Sequence, residues 1–407
     1  MKRPRTRRAV VLLLGAAALL LQPHPPAFAQ PPAVRAHAAV LMDIETGSVL
    51  YQKQMHQSRP VASTTKIMTA LLALENCKLD DSVVVTPADT KVQGSSLYLK
   101  PGDLMRVDDL LAALLLKSAN DAALAIAAHI SGGVPAFADL MNHRASQLGT
   151  THTNFVNPHG LHHPDHYSSA HDLALITREA LKHPRFRELV STRKAQILVP
   201  SDPGGVRTLR NHNKLLRTTA DFVDGVKTGY VKESGHCLVA SATKDDWQLV
   251  AVILDSREAY RDALRLLDYG FPNFRKKVYA TPGAALGRAQ VRGGAQPSVP
   301  AICHETLVAV TSTDLPRPPR LEVTLDGPLQ APISRNDPVG RVRLLAGGEV
   351  LAHAPLLAGQ AVPRSAFRVI AVWALRALVI LAIIALLVRH YAKAVKTRRG
   401  RRLRLPP

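Results

Sequence analysis

The chain has 407 residues, enough for two or three domains with full hydrophobic cores, and a formal net charge of +21. Most of this charge lies at the two ends, where no acidic residue balances it. Five basic residues fall within the first eight positions and eight more between residues 389 and 404, which leaves +8 for the rest. A mildly basic body with only 4% aromatic residues offers few surfaces for base stacking. The composition therefore argues against a nucleic-acid-binding function.

The first 29 residues have the pattern of a secretory signal peptide. A basic start precedes an apolar run over residues 9–21, and Ala27-Phe28-Ala29 provides a small-x-small cleavage site before Gln30. The alternative is an uncleaved anchor helix, but the apolar run is short for a membrane span. The pattern predicts that the mature chain is exported.

The next 240 or so residues combine strand and helix signals. In chain order these are two strands within residues 37–53, helices from Ser63 to about residue 190, and strands between residues 222 and 254 with a helix through Leu267. Strands at both ends and helices in the middle predict an α/β domain of the α+β type over residues 34–275. We expect an antiparallel sheet of about five strands with helices packed on it, and a helical subdomain.

A serine and a lysine stand three residues apart where the helical block begins, in Ser63-Thr64-Thr65-Lys66. Residues i and i+3 of a helix share a face, so the Lys66 amine can reach the Ser63 hydroxyl. A serine hydroxyl is a poor nucleophile until a neighbouring base takes its proton, and a helix N-terminus favours developing negative charge. The pair therefore predicts a nucleophile and its base.

The same spacing recurs at Ser191 and Lys194 and at Ser241 and Lys244, so spacing alone is a weak signal. Ser241 and Lys244 lie in a predicted β-hairpin, where residues i and i+3 point to opposite faces of a strand. Ser191 lies where a short helix ends. Among the three serines, Ser63 is the one that opens an apolar-periodic helix.

Two further strings add to this pair. Ser118-Ala119-Asn120 falls between two helical runs, where Asn120 and Asp121 are placed as helix N-caps would be, and so predicts an inter-helix loop. Lys227-Thr228-Gly229 lies in a predicted strand and occurs once in the chain. Ser-x-Asn is less specific, because it recurs at residues 334–336.

Beyond residue 274, frequent proline and glycine with short alternating runs predict a small all-β domain over residues 276–362. An apolar run over residues 369–388 carries one charge, Arg376, and is long enough to cross a bilayer as a transmembrane helix. The alternative is an in-plane amphipathic helix, but apolar residues surround the axis from residue 377 onward. The basic tail, residues 389–407, is then expected to be cytoplasmic, with the body facing outward.

The cysteines and a group of histidines do not form a recognisable metal motif. Cys77, Cys237 and Cys303 are widely spaced and odd in number, which favours isolated buried cysteines over a zinc site or a disulfide framework. Five histidines lie in or beside a proline-containing loop, where regular geometry does not fix ligands: His159, His162, His163, His166 and His171. We therefore expect no metal and no other cofactor.

The sequence resembles the low-molecular-mass penicillin-binding proteins, and among them the serine-type D-alanyl-D-alanine carboxypeptidases. Ser-x-x-Lys with a Ser-x-Asn type element and Lys-Thr-Gly marks penicillin-binding proteins and class A β-lactamases. The similarity runs over most of the chain and includes these further segments: residues 42–47, 94–103, 157–161, 166–172, 224–229, 331–333 and 339–340. The family often has Gly where this chain has Ala119. The resemblance implies a penicillin-binding/β-lactamase-like fold followed by a β-rich domain.

The resemblance also implies catalytic roles. Ser63 would attack the carbonyl of the penultimate D-Ala, and Lys66 would accept its proton, which requires a neutral amine. Burial and the charge of Lys227 would lower the pKa of Lys66 towards that state. Ser118 would relay the proton to the leaving D-Ala amine.

Substrate binding is implied for residues of the loop, the strand and the following helix. Asn120 would hold the acyl-chain amide, and Lys227 and Thr228 would bind the terminal carboxylate, with Arg261 as a second carboxylate anchor. Gly229 would let the strand approach the ligand closely. The backbone N–H groups of Ser63 and Tyr230 would bind the oxyanion. Arg257 could take the place of Arg261, and a solvated surface role for Arg261 is equally open.

The implied function is removal of the terminal D-Ala from peptidoglycan pentapeptides at the outer face of the cell membrane, with β-lactam antibiotics as covalent inhibitors. A β-lactamase on the same catalytic fold is one alternative. Those of class A deacylate with a dedicated Glu, and residues 151–178 contain none. A penicillin-sensing or morphogenetic binding protein with little turnover is the other, because it shares the acylating residues.

Overall fold

The computed structural model of the protein describes residues 31–218, 221–315 and 317–402. The predicted signal peptide, residues 1–29, lies outside these described residues. The chain divides into two compact units. One comprises the residues up to Lys276 together with Val310–Leu315, and the other comprises Lys277–Ala309 together with the residues after Leu315.

Strands lie towards both ends of the first unit and helices lie mostly in its middle, as the sequence predicts. Its elements are β1 (Ala38–Asp43), β2 (Val49–Lys53), α1 (Lys66–Asn76), β3 (Ser82–Val84), β4 (Leu104–Arg106), α2 (Val107–Ala112), α3 (Asn120–Ser131), α4 (Val134–Gln147), α5 (Ala170–Ala180), α6 (Pro184–Ser191), β5 (Lys194–Leu198), β6 (Val206–Arg210), β7 (Val223–Val231), β8 (Gly235–Lys244), β9 (Trp247–Leu254) and α7 (Ala259–Asn273). A 3₁₀ turn, Ala62–Thr65, precedes α1, and a π-helical turn, Ala113–Lys117, follows α2.

A five-stranded antiparallel sheet lies at the centre of this unit, in the order β2-β1-β9-β8-β7. Strand β1 is buried on both faces. Val40 and Met42 belong to one hydrophobic cluster, whereas Ala39 and Leu41 belong to a second cluster with α7. Because successive strand residues point to opposite faces, one strand supplies both cores. The predicted sheet of about five antiparallel strands is confirmed.

Helix α1 runs through the larger of these clusters and is buried along its first eight residues, from Lys66 to Ala73. A helix that is apolar all round is stable only when other elements surround it. Packing on all sides therefore fixes the position of Lys66 at its first turn.

Helix α3 begins at Asn120, whereas the sequence pattern placed both Asn120 and Asp121 before the helix. Its N-cap is Ala119, and Asn120 and Asp121 lie in its first turn, so their placement as N-caps was wrong. The Asn120 side chain binds Lys66, and Asp121 Oδ1 accepts from the backbone N–H of Leu97 as well as from that of Ala122 in the helix's own first turn. Tertiary contacts have thus taken over the polar groups that would otherwise cap the helix.

The chain after α7 is all-β until its last helix, as predicted. It forms β10 (Phe274–Ala280), β11 (Ala285–Arg292), β12 (Ser298–Cys303), β13 (Leu307–Ser312), β14 (Arg320–Leu325), β15 (Leu329–Gln330), β16 (Pro338–Ala346) and β17 (Glu349–Ala358). A six-stranded sheet has the order β14-β16-β17-β12-β11-β15. Buried Val299, Ala301 and Cys303 alternate along β12, which is the pattern of a strand with one face on a core.

The last helix, α8, spans Ala366–Arg402. Within it, Ile370–Lys393 is long and apolar enough to cross a membrane. This stretch contains nearly all of the predicted transmembrane run, residues 369–388.

Candidate active site

Ser63 lies in the 3₁₀ turn that leads into α1. The residue before it, Ala62, has a φ of +48°, a conformation that non-glycine residues adopt at a cost and that is common at functional sites. Two hydroxyls hold this turn: Thr64 Oγ1 donates to the Val61 carbonyl at 2.7 Å, and Thr65 Oγ1 donates to the Ala62 carbonyl at 2.8 Å. Ser63, the predicted nucleophile, therefore lies on a strained turn that two hydroxyl groups hold in place.

Lys66 is fully buried one turn after Ser63. Its Nζ lies 3.1 Å from Ser63 Oγ, 2.7 Å from Asn120 Oδ1 and 2.6 Å from the carbonyl oxygen of His159. Burial and, after it, the positive charge of Lys227 hold the pKa of Lys66 well below its usual range. The pKa direction expected from the sequence is confirmed.

The three partners of Lys66 fix the direction of its lone pair. A neutral amine has two N–H donors and one lone pair. The oxygens of Asn120 and His159 can only accept, so together they use both N–H groups. The lone pair then faces the Ser63 hydroxyl, which is the arrangement that a general base requires. The His159 carbonyl was missed from the sequence, because a backbone oxygen leaves no side-chain signal.

Ser118 and Lys227 form a second buried pair. Ser118 has a φ of +62° and ends the π-helical turn after α2. Lys227 Nζ donates to Ser118 Oγ at 3.0 Å and to the Thr228 carbonyl at 2.9 Å. Burial lowers the pKa of Lys227 to about 7. A serine hydroxyl with a lysine beside it is placed to pass a proton along.

Asn120 uses both ends of its side-chain amide within the protein. Its Oδ1 accepts from Lys66, and its Nδ2 donates to the Gln93 carbonyl at 2.6 Å. The structure thus gives Asn120 a role in orienting Lys66, which the sequence did not indicate. Its predicted contact with the substrate's acyl-chain amide stays a prediction.

Strand β7 is an edge strand that runs past the nucleophile. A Cβ at Gly229 would lie 3.0 Å from the backbone nitrogen of Ser63 and 3.1 Å from the Val61 carbonyl. Glycine therefore permits the strand to lie this close to the turn. The close approach of the strand to the ligand at Gly229 stays a prediction. The ring of the next residue, Tyr230, is exposed and packs 4.6 Å from that of His236.

A cleft of about 690 Å³ opens over these residues. Ser63, Ser118, Thr228, Gly229 and Tyr230 all contribute to its walls, so residues from three distant segments of the chain line one cleft.

Two arginines line the same cleft. The Arg261 side chain is 65% exposed and pairs with Glu258 at 3.2 Å, and Arg257 lines the cleft as well. The role of Arg261 as a second carboxylate anchor stays a prediction.

Comparison with known proteins agrees with this geometry. The family model for D-alanyl-D-alanine carboxypeptidase matches residues 26–258, more than half of the chain. The chain belongs to this family. The model for the C-terminal domain of penicillin-binding protein 5 matches residues 274–364.

Relatives and solved structures extend the match over most of the carboxypeptidase. The D-alanyl-D-alanine carboxypeptidase DacF of Bacillus subtilis is 32% identical, over 88% of this chain and 94% of its own. DacD of Escherichia coli is 33% identical, over 81% of this chain and 87% of its own. The crystal structure of penicillin-binding protein 5 from Haemophilus influenzae, 29% identical, superposes with a TM-score of 0.73 over 82% of this chain and 99% of its own. Both of these curated relatives are named D-alanyl-D-alanine carboxypeptidases, and each match covers more than 80% of this chain.

Asp121 is a buried residue of the carboxypeptidase that sequence reasoning did not place in the site. Its carboxylate accepts hydrogen bonds from Ser96 Oγ at 2.6 Å and from the backbone nitrogens of Leu97 and Leu99 at 3.0 and 3.1 Å. It thereby holds the loop that contains Ser95, a cleft residue. The only sequence signal was its position next to Asn120.

His166 is a buried residue of the carboxypeptidase that contacts the turn containing Ser63. The Val156 backbone N–H donates to His166 Nδ1 at 3.1 Å, so the ring proton is on Nε2, which lies 2.8 Å from Thr65 Oγ1. Burial, followed by the charge of His163, lowers the pKa of His166 to about 4. This histidine is therefore a neutral structural residue, in a loop that the sequence had marked by its histidines alone.

In the other two Ser-x-x-Lys strings of the carboxypeptidase, at residues 191–194 and 241–244, the side chains make contacts with neighbouring structural elements. Ser241 Oγ donates to Asp224 at 2.5 Å, while the Lys244 ammonium lies 4.0 Å from the centre of the Phe222 ring. Ser191 Oγ donates to backbone carbonyls of α6. The structure confirms the sequence-based prediction that neither of these serine–lysine pairs is a nucleophile with its base.

Proposed function

We propose that this carboxypeptidase removes the terminal D-Ala from peptidoglycan stem peptides through an acyl-enzyme on Ser63. The observation that carries the proposal is the set of contacts around Lys66. Two carbonyl oxygens occupy its N–H groups, and the remaining direction meets the Ser63 hydroxyl.

In the acylation step, Ser63 Oγ attacks the carbonyl carbon of the penultimate D-Ala while its proton moves to Lys66. The oxyanion that forms would be held by backbone N–H groups at Ser63 and Tyr230, where β7 approaches the turn. The C–N bond to the terminal D-Ala then breaks, and the leaving amine takes a proton relayed through Ser118. An ester on Ser63 and free D-Ala result.

In the deacylation step, water attacks the ester carbonyl. Lys66 takes a proton from the water, the bond to Ser63 Oγ breaks, and Oγ regains a proton. The shortened peptide leaves with a new terminal carboxylate. The same amine serves both halves of the reaction because each half begins with removal of a proton from an attacking hydroxyl.

The substrate's terminal carboxylate would bind at Lys227 and Thr228. A charged Lys227 is costly when buried, and a bound carboxylate offsets that cost. Because β7 is an edge strand, the peptide can add beside it as a further strand, with main-chain hydrogen bonds for affinity. β-Lactams would acylate Ser63 in the same position.

We place the enzyme at the cell membrane, with the catalytic unit on the outer face. The support is the length and apolar composition of α8 and the basic residues that follow it. The predicted domain bounds, 34–275, 276–362 and 369–388, are retained in this proposal.

One paired assay tests the proposal. The full chain, purified in detergent, should release D-Ala from a peptide ending in D-Ala-D-Ala, and labelled penicillin should map by mass spectrometry to Ser63. Ser63→Ala should abolish both signals, whereas the matched control Ser191→Ala should retain both. Labelling without D-Ala release would favour the sensor alternative, and rapid β-lactam turnover would favour a β-lactamase.

A further inference from the structure

Three potential metal ligands converge far from the cleft, in the helical part of the first unit. A ligand atom of Cys77, one of Asp81 and one of His129 all lie within 4.8 Å of one another. The sequence predicted buried, isolated cysteines, and for Cys77 this was wrong: it is partly exposed and has a carboxylate and an imidazole beside it. Cys77 and His129 are 52 positions apart, so spacing could not reveal the cluster.

The cluster lies where two helices end. Cys77 directly follows α1, and His129 lies in the last turn of α3. Helix C-termini carry partial negative charge and favour cations. The opposite ends of the same helices begin with Lys66 and Asn120. Any bond between the two C-terminal ends therefore links the two elements that hold the catalytic base and its partner.

Local contacts prepare the ligands for a cation. The backbone N–H of Lys78 donates to Asp81 Oδ2 at 2.8 Å, which orients the carboxylate and leaves Oδ1 available. A divalent cation favours the thiolate form of a cysteine strongly.

We propose that Cys77, Asp81 and His129 bind a zinc-class divalent cation that joins the C-terminal ends of α1 and α3. Thiolate, carboxylate and imidazole are the three ligand types of protein-bound zinc, and water can fill the fourth position of a tetrahedron. Tetrahedral ligand atoms at zinc bond lengths lie about 3–4 Å apart, so side-chain movements of about 1 Å complete the site. Binding releases the thiol proton to solvent. The site is structural and does not depend on the reaction assigned to Ser63.

Cobalt(II) provides a spectroscopic test. The full chain in detergent, stripped of metal with a chelator, should bind one equivalent of Co²⁺, with a thiolate-to-cobalt charge-transfer band in the near ultraviolet. Added Zn²⁺ should remove that band. Cys77→Ser and His129→Gln should lose it, whereas the matched control Cys303→Ser should retain it. Absence of the band in the wild-type protein, or its persistence in Cys77→Ser, overturns the proposal.

Alkylation gives a second readout that tolerates partial loss of stability. Zn²⁺ should slow alkylation of Cys77, followed by peptide mass spectrometry, and should have no such effect in His129→Gln. Buried Cys237 serves as an internal reference in every sample. Cooperative thermal unfolding of each variant shows that it is folded. Equal alkylation of Cys77 with and without Zn²⁺ in the wild-type protein also overturns the proposal.

Discussion

Lys66 shows how burial can convert an ordinary lysine into a base. An ammonium loses its hydration when it is buried, and the nearby charge of Lys227 adds repulsion, so the neutral amine is favoured. Burial also lowers the pKa of Lys227, to about 7. The proposed reaction needs the two lysines in different protonation states: Lys66 neutral as the base, and Lys227 charged for the substrate's carboxylate.

This difference predicts a bell-shaped pH dependence of kcat/KM, which reports the free enzyme. The active form has Lys66 neutral and Lys227 charged. Activity should rise with pH as Lys66 loses its proton, and it should fall above about pH 7 as Lys227 loses its own. The measurement is kcat/KM for D-Ala release across the range in which the protein stays folded.

Lys227→Arg is the control for this profile, because arginine keeps its charge at all these pH values. Whatever its absolute activity, the variant should lack the fall above about pH 7. An unchanged alkaline limb in Lys227→Arg would show that another group causes it.

At the scale of elements, the loop over residues 157–161 is pressed against the nucleophile turn. Thr69 Oγ1 donates to the Pro158 carbonyl at 2.6 Å, and Lys66 donates to the next carbonyl, that of His159. Gly160 then has a φ of +86°, and a Cβ on it would lie 1.9 Å from the Ala62 carbonyl oxygen. The loop can take this position only if residue 160 has no side chain.

Gly160→Ala should therefore displace the turn that carries Ser63. A misplacement of about 1 Å at a catalytic group can cost roughly 10²-fold in rate, so we expect a loss of that order in kcat/KM, together with a lower Tm. D-Ala release and thermal unfolding measure the two effects.

Gly102→Ala is the matched control. Gly102 has a similar φ, +94°, but open space around the position of a Cβ. Backbone strain should lower the free energy of unfolding of the Gly102→Ala variant by about 1–2 kcal/mol, while its kcat/KM stays unchanged. Equal losses of activity in the two variants would mean that strain, and not the collision with Ala62, is responsible.

At the scale of the whole molecule, α8 is the element suited to a membrane. Its large apolar side chains are exposed along the helix, including Ile380, Leu381 and Leu387. Arg376 lies with its guanidinium 5.4 Å from the Trp373 ring, one turn away, near the start of the apolar stretch. Arginine and tryptophan are residues that suit a membrane interface.

Deletion of residues 366–407 should move the enzyme from the membrane to the soluble fraction, because the apolar stretch supplies the anchoring free energy. The rate of D-Ala release from a soluble peptide should not change. Fractionation by ultracentrifugation and the D-Ala assay measure both. A control variant that lacks only residues 394–407 should stay in the membrane fraction. If the variant without residues 366–407 also stayed in the membrane fraction after a high-salt wash, the prediction would be contradicted.

The sequence by itself determined what depends on short spacing. The contact between Ser63 and Lys66 follows from one turn of helix, and the strands from β7 to β9 follow from alternation and turns, so both could be read in windows of a few residues. The apolar stretch of α8 was likewise visible, because a continuous run of side chains defines it.

Tertiary structure alone decided the contacts that join distant segments. The His159 carbonyl on Lys66, the Asp121 carboxylate under the cleft loop and the approach of Cys77 to His129 each connect residues at least 22 positions apart. No local periodicity encodes such contacts, because they arise when two packed surfaces meet. Asn120 and Asp121 show the same limit: their local preference was for capping, but Lys66 and the loop at residues 96–99 offered their buried polar groups stronger partners.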